Sequence, residues 1–325
     1  MKCKAISLFC LLLTGMLPIK AQQIGEAEVK RIISILADDD MQGRATYSPG
    51  IEKASVFIEQ EFTFIGLEPL PGQKDFRQRF ATVGRQVRAL DSIKEGEEPR
   101  FLHNVAGMIK GSSQPDEYVI FSGHYDHIGI RKAVEGDSIA NGADDDASGI
   151  TAVILLAEYF KQHPPERSLI FAAFTAEEIG GFGSRFFSQQ LNPEQIVAMF
   201  NIEMIGKESK FGRNSAFITG FERSDFGKIL QQNLEGSSFQ FHPDPYPEQR
   251  LFYRSDNATL ARLGVPAHTI STTQIDKDSL YHSVNDEVES LDMQNIADII
   301  EAIAVSAKSI VSGKDTPVRI KKEEE

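Results

Sequence analysis

Hydrophobic and polar residues alternate along most of the chain in the pattern of strands separated by helices. From Asn104 onward, short apolar runs rich in β-branched and aromatic residues are separated by amphipathic segments of helical spacing. The apolar runs cover residues 104–109, 118–124, 168–175, 196–204, 216–220 and 267–272, and the helical segments cover 150–162, 180–190, 224–234 and 257–264. Nearly continuous apolar strands between helices indicate a sheet that is covered on both faces. The pattern therefore predicts an α/β fold with a mixed, largely parallel central sheet and helices on both faces.

Helical spacing also predicts elements at both ends of this region. Two amphipathic helices are predicted before it, over residues 24–37 and 51–65, and a last helix is predicted from Met293 to Val311. Residues 69–100 have no clear period and stay unassigned. The chain ends in KKEEE, which favours a solvated, disordered tail. Because there is no internal repeat and no long linker, we predict a single domain over residues 22–315 and a charged tail over 316–325.

The first 21 residues have the pattern of a secretory signal peptide. Lys2 and Lys4 precede an apolar run over residues 6–17, and Ala21 offers a small residue at a cleavage site. The run is shorter than the ~20 residues of a membrane span, and no later run reaches that length. A buried N-terminal strand is the alternative. We expect an exported protein, periplasmic or extracellular, with no membrane span and a mature chain that begins near Gln22.

The net charge and the positions of the cysteines exclude several classes of function. The chain has 34 basic and 47 acidic residues and a formal net charge of −13, which is the opposite of the basic surface of a nucleic-acid-binding protein. Both cysteines, Cys3 and Cys10, lie in the predicted signal peptide. The mature chain would therefore have no thiolate for catalysis, zinc or an iron–sulfur cluster, and any metal would need nitrogen and oxygen ligands.

A histidine and an aspartate end the apolar run at 118–124. His124 and Asp126 are two residues apart, so in an extended chain they lie on one face. Asp126 could then accept the second N–H of the His124 imidazole, an arrangement that orients a metal-binding histidine. A core histidine satisfied by a neighbouring carboxylate is the alternative.

Carboxylates dominate three further clusters. Asp144–Asp146 precede an apolar helix, Glu177 and Glu178 follow the most apolar run, and Glu203 ends the next run. Such groups are costly at buried strand ends unless a cation or a proton-transfer role uses them. A fifth cluster, Tyr281-His282, is followed by acidic residues. A solvated loop or a surface turn is the ordinary alternative for each cluster.

Taken together, the clusters suggest a metal site. They offer two imidazoles and three carboxylates, from His124, Asp145, Glu178, Glu203 and His282. Without sulfur, such a set suits Zn²⁺, with Co²⁺ or Mn²⁺ as substitutes. Five ligands exceed the three protein ligands of a single catalytic zinc, and they fit two metals if one carboxylate bridges them.

Four motifs in order resemble those of a known family. GHYDHIG, GADDDASG, TAEEIGGFGS and SLYHSVND are similar to the motifs of the secreted co-catalytic di-zinc aminopeptidases, and DDDMQGR and FYRSDNATLARLGVPA also look like family segments. Relatives of that family include glutamate carboxypeptidase, glutaminyl cyclase and the transferrin-receptor ectodomain. The resemblance runs from about Asp38 to the last helix. It implies a zinc-exopeptidase-like fold and two Zn²⁺, with Asp145 as the bridging ligand beside a cis peptide to Asp146.

The resemblance also implies roles for single residues. His124 and His282 would be metal ligands, Glu178 would bind one metal, and Glu177 would be the general base for a metal-bridged water. Tyr281 would be an oxyanion donor. One position departs from the family, because Glu203 stands where the family usually has Asp, and its longer side chain can still bind a metal.

The activity implied by the resemblance is that of an aminopeptidase, a hydrolase that releases N-terminal residues from peptides with a free N-terminus. The alternatives are a single-zinc acyltransferase similar to glutaminyl cyclase, a carboxypeptidase, and a non-catalytic binding ectodomain. No oligomeric state is predicted. The side-chain pocket is expected within residues 205–280, where Phe252 and Tyr253 are either an apolar wall or ordinary core.

Overall fold

A ten-stranded mixed sheet forms the centre of the structure, a computed structural model that describes residues 24–322. The predicted signal peptide lies outside the described residues. The strands are β1 (Glu68–Pro69), β2 (Arg77–Val83), β3 (Gln86–Arg88), β4 (Arg100–Ile109), β5 (Gln114–His124), β6 (Gly129–Val134), β7 (Asp137–Ala140), β8 (Arg167–Phe174), β9 (Ile196–Ile202), β10 (Ser215–Ile218), β11 (Gln240–Pro243) and β12 (Ala267–Ser271). The helices are α1 (Glu26–Leu36), α2 (Pro49–Ile65), α3 (Gly149–Gln162), α4 (Phe182–Gln189), α5 (Phe226–Asn233), α6 (Asn257–Arg262), α7 (Met293–Ser306) and α8 (Lys308–Val311).

The centre of the sheet is parallel and its flanks are mainly antiparallel. The order is β11-β10-β12-β9-β5-β8-β4-β2-β3, with β1 paired to β4, and β6 and β7 form a separate hairpin. The four strands β12, β9, β5 and β8 run parallel to one another, whereas β4 and β2 pair antiparallel beyond β8. The predicted fold class, a mixed sheet covered by helices, is confirmed. Its parallel part consists of the four-stranded centre and the pair of β10 and β11.

Alternate residues along the central strands point to two apolar layers. Phe121, Phe171 and Phe200 belong to the layer that packs against α1, α2, α3 and α7, and their rings stack at centroid distances of 5.6 and 4.8 Å from Phe121. Ile120 and Ile170 point to the other layer, which packs against α4 and α6. Because both faces are covered, all residues of β8 and β9 are buried, which explains why these strands are continuous apolar runs.

Two parts of the chain differ from the predictions. The unassigned residues 69–100 contain β2 and the edge strand β3, whose exposed positions interrupt the apolar pattern. The predicted last helix is two helices, because the chain leaves α7 at Ala307 before α8 begins. No helix within residues 24–322 combines the length and the hydropathy that a bilayer span requires.

The expected disordered tail is wrong for residues 316–322. Ile320 is 3% exposed and joins the apolar layer under α4 and α6. Its amide donates to the Gly264 carbonyl at 3.0 Å, and the Arg319 guanidinium donates to the carbonyls of Pro193 and Ile196. One buried apolar side chain and three hydrogen bonds to backbone carbonyls therefore hold this segment in place, although its charge indicated a solvated tail. Residues 323–325 lie outside the described part.

Candidate metal centre

The candidate ligands gather at the carboxyl ends of the parallel strands. His124 is the last residue of β5, Glu203 directly follows β9, and Glu178 lies four residues after the end of β8. His282 lies in the long loop after β12, and Asp145 lies in the turn Ala143–Ser148 that leads into α3. Parallel strands place their carboxyl ends at one edge of the sheet, so all five residues reach one place.

His124, Asp145 and Glu203 form the first group able to hold a metal. Their ligand atoms all lie within 4.8 Å of one another, and His124 Nε2 lies 3.2 Å from Asp145 Oδ1. Within residues 24–322, His124 Nε2 and Glu203 Oε2 are buried and find no hydrogen-bond partner. Buried polar atoms without partners are costly, and an imidazole with two carboxylates is a zinc ligand set. The residues present therefore fit a divalent cation.

The other oxygen of Asp145 faces a second group. Asp145 Oδ2 lies 3.2 Å from His282 Nε2, and Glu178 Oε2 lies 3.1 Å from the same nitrogen. Burial alone would raise the pKa of the Asp145 carboxyl, but hydrogen bonds from the His124 and His282 imidazoles lower it well below its ordinary value. Asp145 is therefore an anion whose two oxygens face different histidines. The peptide bond from Asp145 to Asp146 is cis, as the resemblance implied.

His127 is a third imidazole at the centre that the sequence reasoning missed. Its Nδ1 lies 2.9 Å from Glu178 Oε1 and 3.7 Å from Asp145 Oδ2, and these three residues form the second group able to hold a metal. Its Nε2 is buried and has no hydrogen-bond partner among the described residues. The available signal was the second histidine of GHYDHIG, three positions after the first.

The predicted hydrogen bond between the His124 imidazole and the Asp126 carboxylate is not formed. His124 Nδ1 lies 3.0 Å from the backbone carbonyl of Asp126 and 3.8 Å from its Oδ1. The carboxylate instead accepts the amides of Glu177 and Glu178, at 3.0 and 3.3 Å, and the Thr46 hydroxyl at 2.9 Å. Asp126 therefore still orients the ring, but through its carbonyl, while its side chain holds the turn that carries the two glutamates.

Glu177 and Glu178 are adjacent but lie in different surroundings. Burial raises the pKa of Glu177 well above its ordinary value, and the charges of Glu203, Asp256 and Asp126 add to this effect while His124 opposes it. Burial and the charge of Asp145 also raise the pKa of Glu178, but hydrogen bonds from His127 and His282 outweigh them and lower it. The pKa values of the two adjacent carboxyls are thus shifted in opposite directions, that of Glu178 downward and that of Glu177 upward.

Asp146 ties together the segments that carry the ligands. Its carboxylate accepts the amides of His124 at 3.0 Å, Gly149 at 3.1 Å and Met204 at 3.1 Å. Asp286 acts in the same way on the other side of the turn, where it accepts the amides of Asp144 and Asp145. The acidic run therefore divides its roles: Asp145 faces the metal groups, and Asp146 is part of the scaffold.

Arg44, in the segment DDDMQGR, holds the residues that directly precede the turn Ala143–Ser148. The side chain is fully buried. Its guanidinium donates to four backbone carbonyls, those of Leu36 at 2.6 Å, Asn141 at 2.6 Å, Gly142 at 2.9 Å and Tyr125 at 3.0 Å. One side chain therefore joins α1 to the loops before and after β6–β7.

We expect Arg44→Met to lower the free energy of unfolding by about 3–5 kcal/mol, because it leaves four buried carbonyls without a donor. Urea denaturation followed by circular dichroism measures this. Arg79→Met is the control, since Arg79 makes an exposed ion pair with Asp75, which is worth at most about 1 kcal/mol. Equal losses for the two variants would contradict the role of Arg44.

A small cavity of about 70 Å³ adjoins the centre at Glu203 and Tyr281. The Tyr281 ring stacks on the His282 ring at a centroid distance of 3.9 Å. The cavity wall combines the hydroxyl groups of Thr219, Ser255 and Ser271, the apolar side chains of Phe217, Leu251 and Ile275, and the cationic side chain of Arg254. Phe252 is not in this wall: it is core, with Tyr253 packed against the same layer. The wall of this cavity thus lies mostly within residues 205–280 but does not include Phe252 or Tyr253.

Comparison with known proteins agrees with this geometry. Peptidase family M28 matches residues 104–307, which is more than half of the chain. A probable zinc metalloprotease of Pyrenophora teres f. teres is 35% identical over 111 residues, and one of Phaeosphaeria nodorum is 24% identical over 214 residues. These alignments cover 33% and 60% of this chain but only 23% and 40% of the relatives. The chain thus spans well under half the length of these relatives.

Solved structures show the same fold at low sequence identity. A zinc aminopeptidase from Bacillus subtilis superposes with a TM-score of 0.68 at 12% identity, over 94% of this chain and 100% of that one. A glutaminyl cyclase from Bacteroides thetaiotaomicron, bound to N-acetylhistamine, superposes with a TM-score of 0.64 at 14% identity, over 88% and 98%. The chain belongs to peptidase family M28, the family of zinc metallopeptidases that its motifs resemble.

Proposed function

We propose that this chain is an exported di-zinc aminopeptidase. The observation that carries the proposal is the position of Asp145, whose two oxygens face two different groups of ligands. A single metal would need only one of these groups. A second cation would use the atoms of the other group, including Glu178 Oε2, which lies 3.1 Å from His282 Nε2.

The ligands divide between the two ions in a simple way. His124 and Glu203 would hold one Zn²⁺, Glu178 and His282 would hold the other, and Asp145 would serve both. Co²⁺ or Mn²⁺ could substitute, since the ligands are nitrogen and oxygen only. When bound, the ions supply Lewis-acid polarisation of the scissile carbonyl and lower the pKa of water.

Two residues of the chain have roles beside the metals. Glu177 takes the proton of the attacking water and passes it to the leaving amine, a role for which its raised pKa suits it. Tyr281, stacked on His282, donates its hydroxyl to the developing oxyanion. No covalent intermediate is needed.

The surroundings of the centre favour a peptide with a free N-terminus. The α-ammonium group of such a substrate is attracted by the carboxylates of the centre, and the adjoining cavity would take the first side chain. A water needs about 10–15 Å³ of such space, so 70 Å³ accommodates about five to seven heavy atoms. We therefore propose that leucine and methionine are accepted better than tryptophan.

The test combines metal analysis with a panel of aminoacyl anilides. We expect two ions per chain after dialysis, and faster turnover of the leucyl than of the tryptophyl anilide. One ion per chain together with cyclisation of a glutaminyl peptide would replace the proposal by a glutaminyl cyclase. Turnover of only N-blocked peptides would indicate a carboxypeptidase, and no turnover with both ions bound would indicate a binding ectodomain.

Export is proposed from the first 21 residues, which lie outside the described part. We expect the mature protein to begin near Gln22, because Ala21 ends a signal-like segment. Mass spectrometry of the protein recovered from the periplasm or medium measures this. Recovery of residues 1–21 on that protein would contradict cleavage.

A further inference from the structure

A second, larger cleft reaches the metal centre at His282. It has a volume of about 490 Å³. One wall is strand β6 of the separate hairpin, and the other is the part of the loop after β12 that follows His282. The lining residues besides His282 are Ile130, Arg131, Lys132, Val134, Ser283 and Val284. The small cavity described above adjoins the same centre at Glu203 and Tyr281. The centre therefore has two separate neighbouring spaces, one at each of its ligand groups.

The charge of this cleft differs from that of the centre. Arg131 and Lys132 are exposed, and neither makes an ion pair with any residue in the described range 24–322. The adjacent centre carries five carboxylates, from Asp145, Asp146, Glu177, Glu178 and Glu203. Ile130 and Val134 are 66% and 49% exposed, so the same strand also offers apolar surface. A cleft that is both cationic and apolar matches a small organic anion.

The hairpin that forms this wall is held at its base. Gly129 pairs with Ala140 at the start of the hairpin, and His127, two residues earlier, pairs with Ala45. The chain is tightly packed there, because a Cβ placed on Gly129 would lie 2.5 Å from the Cβ of Ala45. The two cations are therefore presented from an anchored strand.

We propose that this cleft binds the free α-carboxylate of a short peptide substrate, on the leaving-group side of the scissile bond. The inference rests on the proposed aminopeptidase function. If the first side chain occupies the small cavity at Glu203, the rest of the substrate extends towards the other space, at His282. A volume of about 490 Å³ lies within the range of about 300–1,000 Å³ for small-molecule sites, which suits one or two residues. The carboxylate of a di- or tripeptide therefore lies near Arg131, whose guanidinium is suited to binding carboxylates.

The experiment compares three substrates of equal length on the metal-loaded enzyme. Leucyl-alanine has the free α-carboxylate, leucyl-alaninamide lacks it, and leucyl-aspartic α-amide carries a carboxylate only on its side chain. We expect kcat/KM for leucyl-alanine to exceed that for its amide by about three- to tenfold, mainly through KM, as two exposed cations allow. In the double variant Arg131→Gln/Lys132→Gln this ratio should fall to about one.

A matched control removes the same charge elsewhere. Lys321→Gln/Lys322→Gln also removes two positive charges, but Lys322 lies beside Gly264, which precedes β12 and thus lies away from the carboxyl ends of the strands. The control should keep the ratio of the unchanged enzyme. An equal fall in both variants would overturn the cleft in favour of a general charge effect.

The remaining outcomes separate this inference from the proposed function. Turnover of leucyl anilide needs no carboxylate, so its absence in the unchanged enzyme would overturn the aminopeptidase function itself. Normal anilide turnover with an acid-to-amide ratio near one would overturn only the carboxylate site. Equal preference for leucyl-aspartic α-amide would overturn the α-carboxylate assignment and indicate an acidic side chain as the occupant.

Discussion

Asp145→Ala is expected to remove both of the proposed metal ions together, whereas His282→Ala should remove one. The reason is geometric, because Asp145 Oδ1 faces His124 and Asp145 Oδ2 faces His282 and Glu178. Loss of a residue that merely orients a ligand typically weakens metal binding by about 10–100-fold. Loss of a ligand shared by two ions should exceed the upper value for each ion. Activity should fall below detection.

Metal content after dialysis, together with titration against a chelator, measures this difference. Asp144→Asn is the control, because Asp144 is an equally buried neighbour that faces Lys207 and the Gly206 amide and belongs to neither metal group. Near-wild-type metal content is expected in this control, with circular dichroism confirming its fold. If Asp145→Ala kept one ion at full affinity, the shared position of Asp145 would be wrong.

The strands that could be predicted are those whose residues all lie in the same environment, because a uniform environment produces a uniform residue pattern. Strands β8 and β9 are buried on both faces, so their apolar runs needed no other information. Strands β2 and β3 are the last two strands on one side of the sheet, where exposed and buried positions mix, and their pattern has no clear period. The prediction of a disordered tail was wrong at Ile320 for a related reason. The charged residues around it indicated a solvated segment, although one apolar side chain is buried.

The position of the site could be predicted because parallel strands end at one edge of the sheet. That rule needs only the order of strands and polar residues, and it brought the clusters at His124, Glu178 and Glu203 together correctly. It says nothing about which neighbouring loop supplies a hydrogen-bond donor. The Asp126 carboxylate accepts hydrogen bonds from the amides of Glu177 and Glu178, about 50 positions away. His127 Nδ1 likewise forms its hydrogen bond with the distant Glu178.

Glu203 shows how a longer ligand is accommodated where the family usually has Asp. The side chain is half-buried, and burial raises its pKa to about 7. Its Oε2 has no hydrogen-bond partner among the described residues, yet it lies in the group with His124 and Asp145. The extra methylene therefore leaves the carboxylate within the candidate metal site.

The two adjacent glutamates allow the sharpest separation of roles. Glu178 is kept anionic by His127 and His282, so Glu178→Ala should lose both metal and activity. Glu177 is in neither metal group, so Glu177→Gln should keep metal content and thermal stability. Glu177→Gln retains the shape of the side chain and removes only the group that exchanges a proton.

For Glu177→Gln we expect kcat to fall by about 10²–10⁴-fold, which is the usual contribution of a general base. The larger value is expected, because the same carboxylate would first accept the proton of water and then donate it to the leaving amine. Binding of a competitive inhibitor should change little, since the loss is confined to the transition state. Stopped-flow or steady-state kinetics on protein of measured metal content tests this. Near-normal kcat, or loss of metal comparable to that in Glu178→Ala, would show that the raised pKa of Glu177 reflects burial without a catalytic role.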